Sequence, residues 1–189
     1  MSCNDGAVGR QDVDGLLLGE WACLGILCTG ASHGFAIAAR LRPEGDVGRV
    51  WSLSRALTYR ALDQLIARGL VRAVGEERGI AGGNRTILAP TGAGKAQLRR
   101  WLATPVAHLR DLRSQLLLKL VIADLCQVDV TTMLERQRAL IEDLAAALTS
   151  RVEGDAGADA ASAADVVDLW RSESSLAALR FLDRLLVQE

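Results

Sequence analysis

Residues 51–74, WSLSRALTYRALDQLIARGLVRAV, set the tightest limit on how this chain folds. Laid out at about 100° per residue, Leu57, Ala61, Leu62, Leu65 and Ile66 gather on one side of a helix. Ala56, Tyr59, Arg60, Asp63 and Gln64 occupy the opposite arc, with Arg55 at its edge. Ser54 supplies an N-cap and Gly69 a C-terminal stop. The stretch from Leu70 to Val74 then alternates as a strand, with no room for a linker. A one-sided helix must lie on other elements, and a strand so close behind it must pair with a later one. Residues 85–88 provide that partner after a turn-rich tip over 75–83 that carries Arg78.

The flanking segments supply what the helix packs on. Residues 16–28 form a helix that is apolar nearly all round, through Leu17, Leu18, Trp21, Leu24 and Leu27, so it is buried on several sides. It stops at Thr29 and Gly30. A second helix, 34–41, follows Ser32 as N-cap and ends before Pro43. A glycine-containing loop, 43–48, leads on. After the hairpin, Thr91 opens a helix to Leu102, stopped by Pro105.

The second half changes character. Leu109, Leu112, Leu116, Leu120 and Ala123 follow a helical stripe, while Leu117, Leu118, Val121, Ile122 and Leu125 fill the other sides. A helix this apolar needs cover on two faces. Residues 131–150 are amphipathic, with Leu134, Ile141, Leu144 and Leu148 on one stripe. Residues 153–164, EGDAGADAASAA, read as a mobile linker. A final helix over 166–187 places Leu169, Leu176, Leu179, Leu182 and Leu186 on a seam. Three helices with apolar seams suit an antiparallel, coiled-coil-like dimer module. The expected fold class is therefore mainly α with a small β-hairpin wing. A tail (1–14) precedes an N-terminal winged helix-turn-helix domain (15–104) and a C-terminal helical dimerisation region (105–189).

Charge separates the two halves. The chain carries a net charge of -1, but residues 31–104 hold twelve Lys or Arg against five Asp or Glu, and residues 105–189 hold nine against fourteen. Only the first half is basic enough to face an anion. Cys3, Cys23, Cys28 and Cys126 form no CxxC and no Cys/His grouping at metal-ligand spacing, so free, packed thiols are expected. No metal or cofactor is expected. Residues 1–14 lack a basic segment leading into an apolar core, so no secretory signal is expected. Runs such as LLLKLVIADL are too short to span a bilayer. A cytoplasmic protein with no membrane partner is the expectation.

Those observations point to duplex DNA. The exposed arc near the start of the 55–67 helix is what enters a major groove in helix-turn-helix proteins. There Ser54 and Arg55 suit a phosphate or base edge, and Tyr59 and Arg60 face outward. Arginine to guanine is the commonest specific pairing. Thr58 completes the set from the core side of the arc. Arg78, Asn84 and Arg85 on the wing suit phosphate or minor-groove contact. A solvated helix face is the plain alternative for Tyr59 and Arg60. Its location in a basic domain favours contact with DNA. His33 has no partner at ligand spacing and reads as a structural residue at a helix start. Gly92-Ala93-Gly94-Lys95 lacks the spacing and the following Ser or Thr of a phosphate-binding loop. Trp21, Trp101 and Trp170 read first as packing residues. A pocket lined by Leu17, Trp21 and Trp101 would suit a flat aromatic effector.

With these elements placed, the chain resembles the PadR family of winged-helix transcriptional regulators. Leu24 to Leu41 match that family's first two helices around a His-Gly-Tyr centre, with His33 and Gly34 present and Phe35 in place of the tyrosine. Val50-Trp51-Ser52-Leu53-Ser54, Tyr59-Arg60-Ala61-Leu62 and Arg68-Gly69-Leu70-Val71 follow in order. Thr91-Gly92-Ala93-Gly94-Lys95 stands where the family has Thr-Pro-x-Gly-Arg, followed by Leu98 and Trp101-Leu102. The chain departs at Leu57-Thr58-Tyr59, where the family reads Thr-Leu-Tyr. It also departs in a wing without the family's Arg-Lys-Tyr run. The resemblance implies a homodimer that represses transcription from an inverted-repeat operator and is relieved by a small, often aromatic, molecule. The competing reading is a helical interaction or ligand-carrier protein whose winged helix binds another protein. No nucleophile–base pair or carboxylate dyad shares an element, so an enzyme is not expected.

Overall fold

The computed structural model describes residues 15–78, 84–154 and 163–187, with the side chains of 151–154 and 163–165 left aside. The expected tail, the wing tip at 79–83 and residues 155–162 of the expected linker lie outside the described residues. The order is α1 (Leu18–Thr29), β1 (Ser32–His33), α2 (Gly34–Arg40), α3 (Arg55–Ala67), β2 (Val71–Arg78), β3 (Asn84–Pro90), α4 (Gly92–Ala103), α5 (Leu117–Leu125), α6 (Thr131–Gly154) and α7 (Ala163–Leu186). The result is mainly helical, with one small antiparallel sheet ordered β1-β3-β2. It is the winged-helix arrangement expected.

The chain divides into two compact units. One holds the described residues up to Leu102 together with Leu117–Asp129; the other holds Ala103–Leu116 and the described residues from Val130 onward. The helix α5 belongs with the first unit. The reason is visible at Gly25. A Cβ there would stand 2.6 Å from Ile122 Cδ1, so the missing side chain lets α5 seat directly on α1. Every residue of α1 from Gly19 to Leu27 is buried, as its all-round apolarity requires. Glu20 is buried in the same run because its Oε2 accepts the Leu17 amide at 2.9 Å, capping the helix.

Three local expectations are corrected. The N-cap of α2 is His33, whose Nδ1 accepts from the Ala36 amide at 3.0 Å. Ser32 is instead paired with Leu88 in β1, a strand of two residues that is too short to carry a period. The stripe over 109–125 is not one α-helix. Leu109–Asp111 form a 3-10 turn and Leu112–Leu116 a π turn before regular helix begins at Leu117. Finally, α6 continues through Glu153 and Gly154, residues expected in the linker.

The second unit is built on α6 and α7, which run antiparallel. Arg138 Nε donates to Asp183 Oδ1 at 2.6 Å near one end, and the Thr149 and Ser172 hydroxyls meet at 3.5 Å near the other. Leu134, Ile141 and Leu148 are buried as the stripe requires, and Leu182 is fully buried on α7. Gln137, also fully buried, is satisfied on both sides of its amide. It accepts from the Val106 amide at 2.6 Å and donates to the Val106 carbonyl at 3.1 Å. Leu169, expected on the seam of α7, is exposed.

Candidate nucleic-acid interface

The sequence of α3 turns one face inward and leaves the other bare. Ser54 caps it, its Oγ accepting from the Leu57 amide at 3.3 Å. Thr58, Ala61, Leu62 and Leu65 are the buried positions, at the i, i+3, i+4, i+7 spacing of a packed helix. The inward face is therefore rotated from the one hydropathy suggests. Leu57 is 50% exposed and Ile66 42% exposed, while Thr58 is 0% exposed. Threonine can sit there because its Oγ1 donates to the Ser54 carbonyl at 3.0 Å, leaving no unmet donor. Thr58 is consequently a core residue and not a base-reading one.

Arg55, Tyr59 and Arg60 stand exposed on the outer arc with Asp63 and Gln64. The start of α2 flanks them. A Cβ on Gly34 would fall 2.8 Å from Tyr59 Cε1, so the absent side chain lets the phenol ring lie against the α2 backbone. From the other side comes the wing, where β2 and β3 pair from Val71↔Pro90 to Arg78↔Asn84 with a bulge between Ala73 and Gly75. Together α2, α3 and β3 enclose an open cleft of about 750 Å³ whose walls include His33, Phe35, Arg55, Tyr59, Asp63 and Arg85.

The contacts within the cleft are mostly between cations and rings. Arg55 Cζ lies 5.4 Å from the centre of the Phe35 ring and 5.7 Å from that of Tyr59. Arg85 Cζ, from β3, also lies 5.4 Å from Phe35. His33 links the wing to α2. Because its Nδ1 accepts the Ala36 amide, the neutral ring carries its proton on Nε2. Nε2 lies 4.0 Å from Glu77 Oε2 and 3.3 Å from Arg85 Nη1. With its proton on Nε2 that nitrogen is no acceptor, and the guanidinium packs beside the ring without donating to it. His33 thus caps α2, and Arg85 packs against its ring.

The residues expected on the wing fare differently. Arg78 is exposed at the end of β2, opposite Asn84. Asn84 is engaged, its Nδ2 donating to Glu76 Oε2 at 2.8 Å. Arg85 is half-buried and turned into the cleft. The structure thus brings Arg55, Tyr59 and Arg85 together and leaves Arg60 and Arg78 in solvent. Gly34 and Phe35 are the contributors that periodicity missed. The only signal for them was their place in a motif.

The expected effector residues are differently placed. Trp21 and Trp101 stack face to face, ring centres 4.7 Å apart and planes within 9°, and both are buried. The Lys119 ammonium is buried on the Trp101 ring, 4.7 Å from its centre. Leu17 lies at the surface. Among the described residues no grouping of His, Cys, Asp and Glu could hold a metal ion, and no helix is long and apolar enough to cross a membrane.

No protein-family model matches the chain, and no curated protein matches it. Several solved structures are similar to it at low identity. PadR of Bacillus subtilis in complex with operator DNA is 18% identical, with a TM-score of 0.44, over 88% of this chain and 97% of that one. The same protein in complex with p-coumaric acid is 17% identical, with a TM-score of 0.38, over 90% and 94%. The PadR-like transcriptional regulator BC1756 of Bacillus cereus is 19% identical, with a TM-score of 0.38, over 90% and 96%.

Proposed function

We propose that this chain is a PadR-like, sequence-specific DNA-binding regulator that acts as a homodimer and represses transcription from an inverted-repeat operator. The observation that carries this reading is the convergence of Arg55 and Tyr59 from α3 with Arg85 from the wing on one open cleft. A buried helix face on one side and arginine-rich exposure on the other is the form a recognition helix needs. The basic balance of residues 31–104 supports the same partner.

In this mechanism two α3 helices, one from each protomer, enter successive major grooves about 34 Å apart. Arg60 reaches base edges, Arg55 and Arg85 hold the backbone, and Arg78 extends the contact along the strand. The apolar side chains that α7 leaves in solvent support pairing of protomers; Trp170 alone is 72% exposed. A flat aromatic effector would act by favouring a dimer in which the two α3 helices are wrongly spaced. To enter at Leu17, Trp21 and Trp101, such a molecule must part the two stacked indoles. No catalytic role and no cofactor belong to this account.

Replacing the outer arc tests it. Tyr59→Ala combined with Arg60→Ala abolishes binding to a duplex selected by the wild-type protein from a random pool, and leaves the oligomeric state unchanged. Undiminished affinity in that variant, or a pool that yields no enriched sequence, contradicts the assignment.

A further inference from the structure

We propose that Phe35 is a positioning residue that holds Arg55 and Arg85 together as one paired cation for a single stretch of DNA backbone phosphate; this rests on the DNA-binding reading above. Phe35 is the second residue of α2, and 42% of its surface is exposed. Its ring lies where three elements meet. The Arg55 guanidinium reaches it from α3 and the Arg85 guanidinium from β3, each 5.4 Å from its centre. His33 lies beside it, ring centres 6.3 Å apart.

Two arginines on separate elements repel one another, and each has a long side chain with many rotamers to lose when it is fixed. An aromatic face offsets both effects. Its negative centre attracts each guanidinium, and a guanidinium resting on a ring keeps its N–H edge for a phosphate. Since both cations are tied to the same ring, their separation cannot exceed twice the ring distance. The wing and the recognition helix are thereby coupled through one exposed side chain. The acidic groups nearby, Asp63 on α3 and Glu77 on β2, line the cleft or face His33. They keep the cleft from being uniformly positive, so placement of the two arginines matters more than total charge. A tyrosine would offer the same face.

The test compares DNA affinity, on the duplex selected by wild-type protein, for Phe35→Leu, Phe35→Tyr and a chain carrying trifluorophenylalanine at position 35. Loss of the ring face should weaken binding about tenfold in Phe35→Leu and flatten its dependence on salt, with thermal stability little changed. Phe35→Tyr should bind as wild type does. Fluorination keeps size and apolarity but drains the ring's negative centre, so it should weaken binding several-fold. None of these changes should matter once Arg55 and Arg85 are both alanine. Full affinity in the fluorinated chain, or an equal loss in the double-alanine background, overturns the proposal. Wild-type protein that binds no duplex overturns the DNA reading together with it.

Discussion

Tyr59 keeps its place because residue 34 has no side chain. A methyl group at Gly34 would press on the phenol ring at 2.8–3.3 Å, and the half-exposed ring would swing aside. Gly34→Ala is therefore expected to lower DNA affinity about tenfold while shifting the melting temperature little, checked by titration and thermal denaturation of the same sample. Asp46 offers a pH-linked counterpart. Its carboxylate accepts from Arg40 at 2.6 Å, and this hydrogen bond and the guanidinium charge hold its pKa below the ordinary carboxylate value. A depressed pKa adds stability above the unfolded value, which is lost as pH falls through the folded one. Both side chains are partly in water, so the contribution is no more than about 1 kcal/mol. Asp46→Asn should lower stability by that order at neutral pH and flatten the acid side of the stability curve, read by urea melts between neutral and acid pH. Cys23 stands at the opposite extreme, its thiol pushed up to about 12 by burial, with the Glu20 charge adding to the effect. In the folded protein it should resist alkylation at neutral pH and react only on unfolding, as peptide mapping would report.

Among the elements, the glycine-dependent crossings make the sharpest predictions. Gly25→Ala places a methyl group inside the Ile122 side chain, and overpacking of this kind costs about 1–3 kcal/mol. Denaturant unfolding should show that loss, and an unchanged midpoint would mean α5 does not depend on that contact. The Thr91–Gly94 segment is explained in the same terms. Thr91 Oγ1 donates to the Gly69 carbonyl at 2.8 Å and accepts the Gly94 amide at 3.1 Å, and a Cβ on Gly94 would meet the Leu70 carbonyl at 2.2 Å. A motif that superficially resembled a phosphate-binding loop is the joint between the wing and α4. The elements most legible in sequence were those with a full apolar period or a Gly stop: α1, α3, the hairpin and α4. What escaped was governed by single hydrogen bonds. Thr58 turned inward because a backbone carbonyl met its hydroxyl, and His33 displaced Ser32 as cap because an imidazole nitrogen accepts as well as an oxygen. The π turn at Leu112–Leu116 changes the helical register without any Gly or Pro to announce it. In the site, the arginines could be found from charge and arc, whereas Gly34 and Phe35 act through other residues and leave no periodic trace.

For the whole molecule, the two proposals that matter are pairing and operator selection. Val166, Val167, Leu169 and Trp170 all stand exposed near the start of one helix, and apolar side chains clustered in this way mark an interaction face. Sedimentation equilibrium should give twice the chain mass, and Trp170→Glu should shift the protein toward monomer and weaken operator binding by removing the second half-site contact. A dimer unaffected by that change would place the pairing face elsewhere. The most direct measurement of the central claim is an anisotropy titration of the protein against duplex DNA from upstream of its own coding sequence, beside a scrambled duplex, at two salt concentrations. The account predicts one dimer bound tightly to the upstream duplex and a preference over the scrambled one that survives the higher salt. Equal binding to both, lost together as salt rises, would mean phosphate contact without reading and would contradict it.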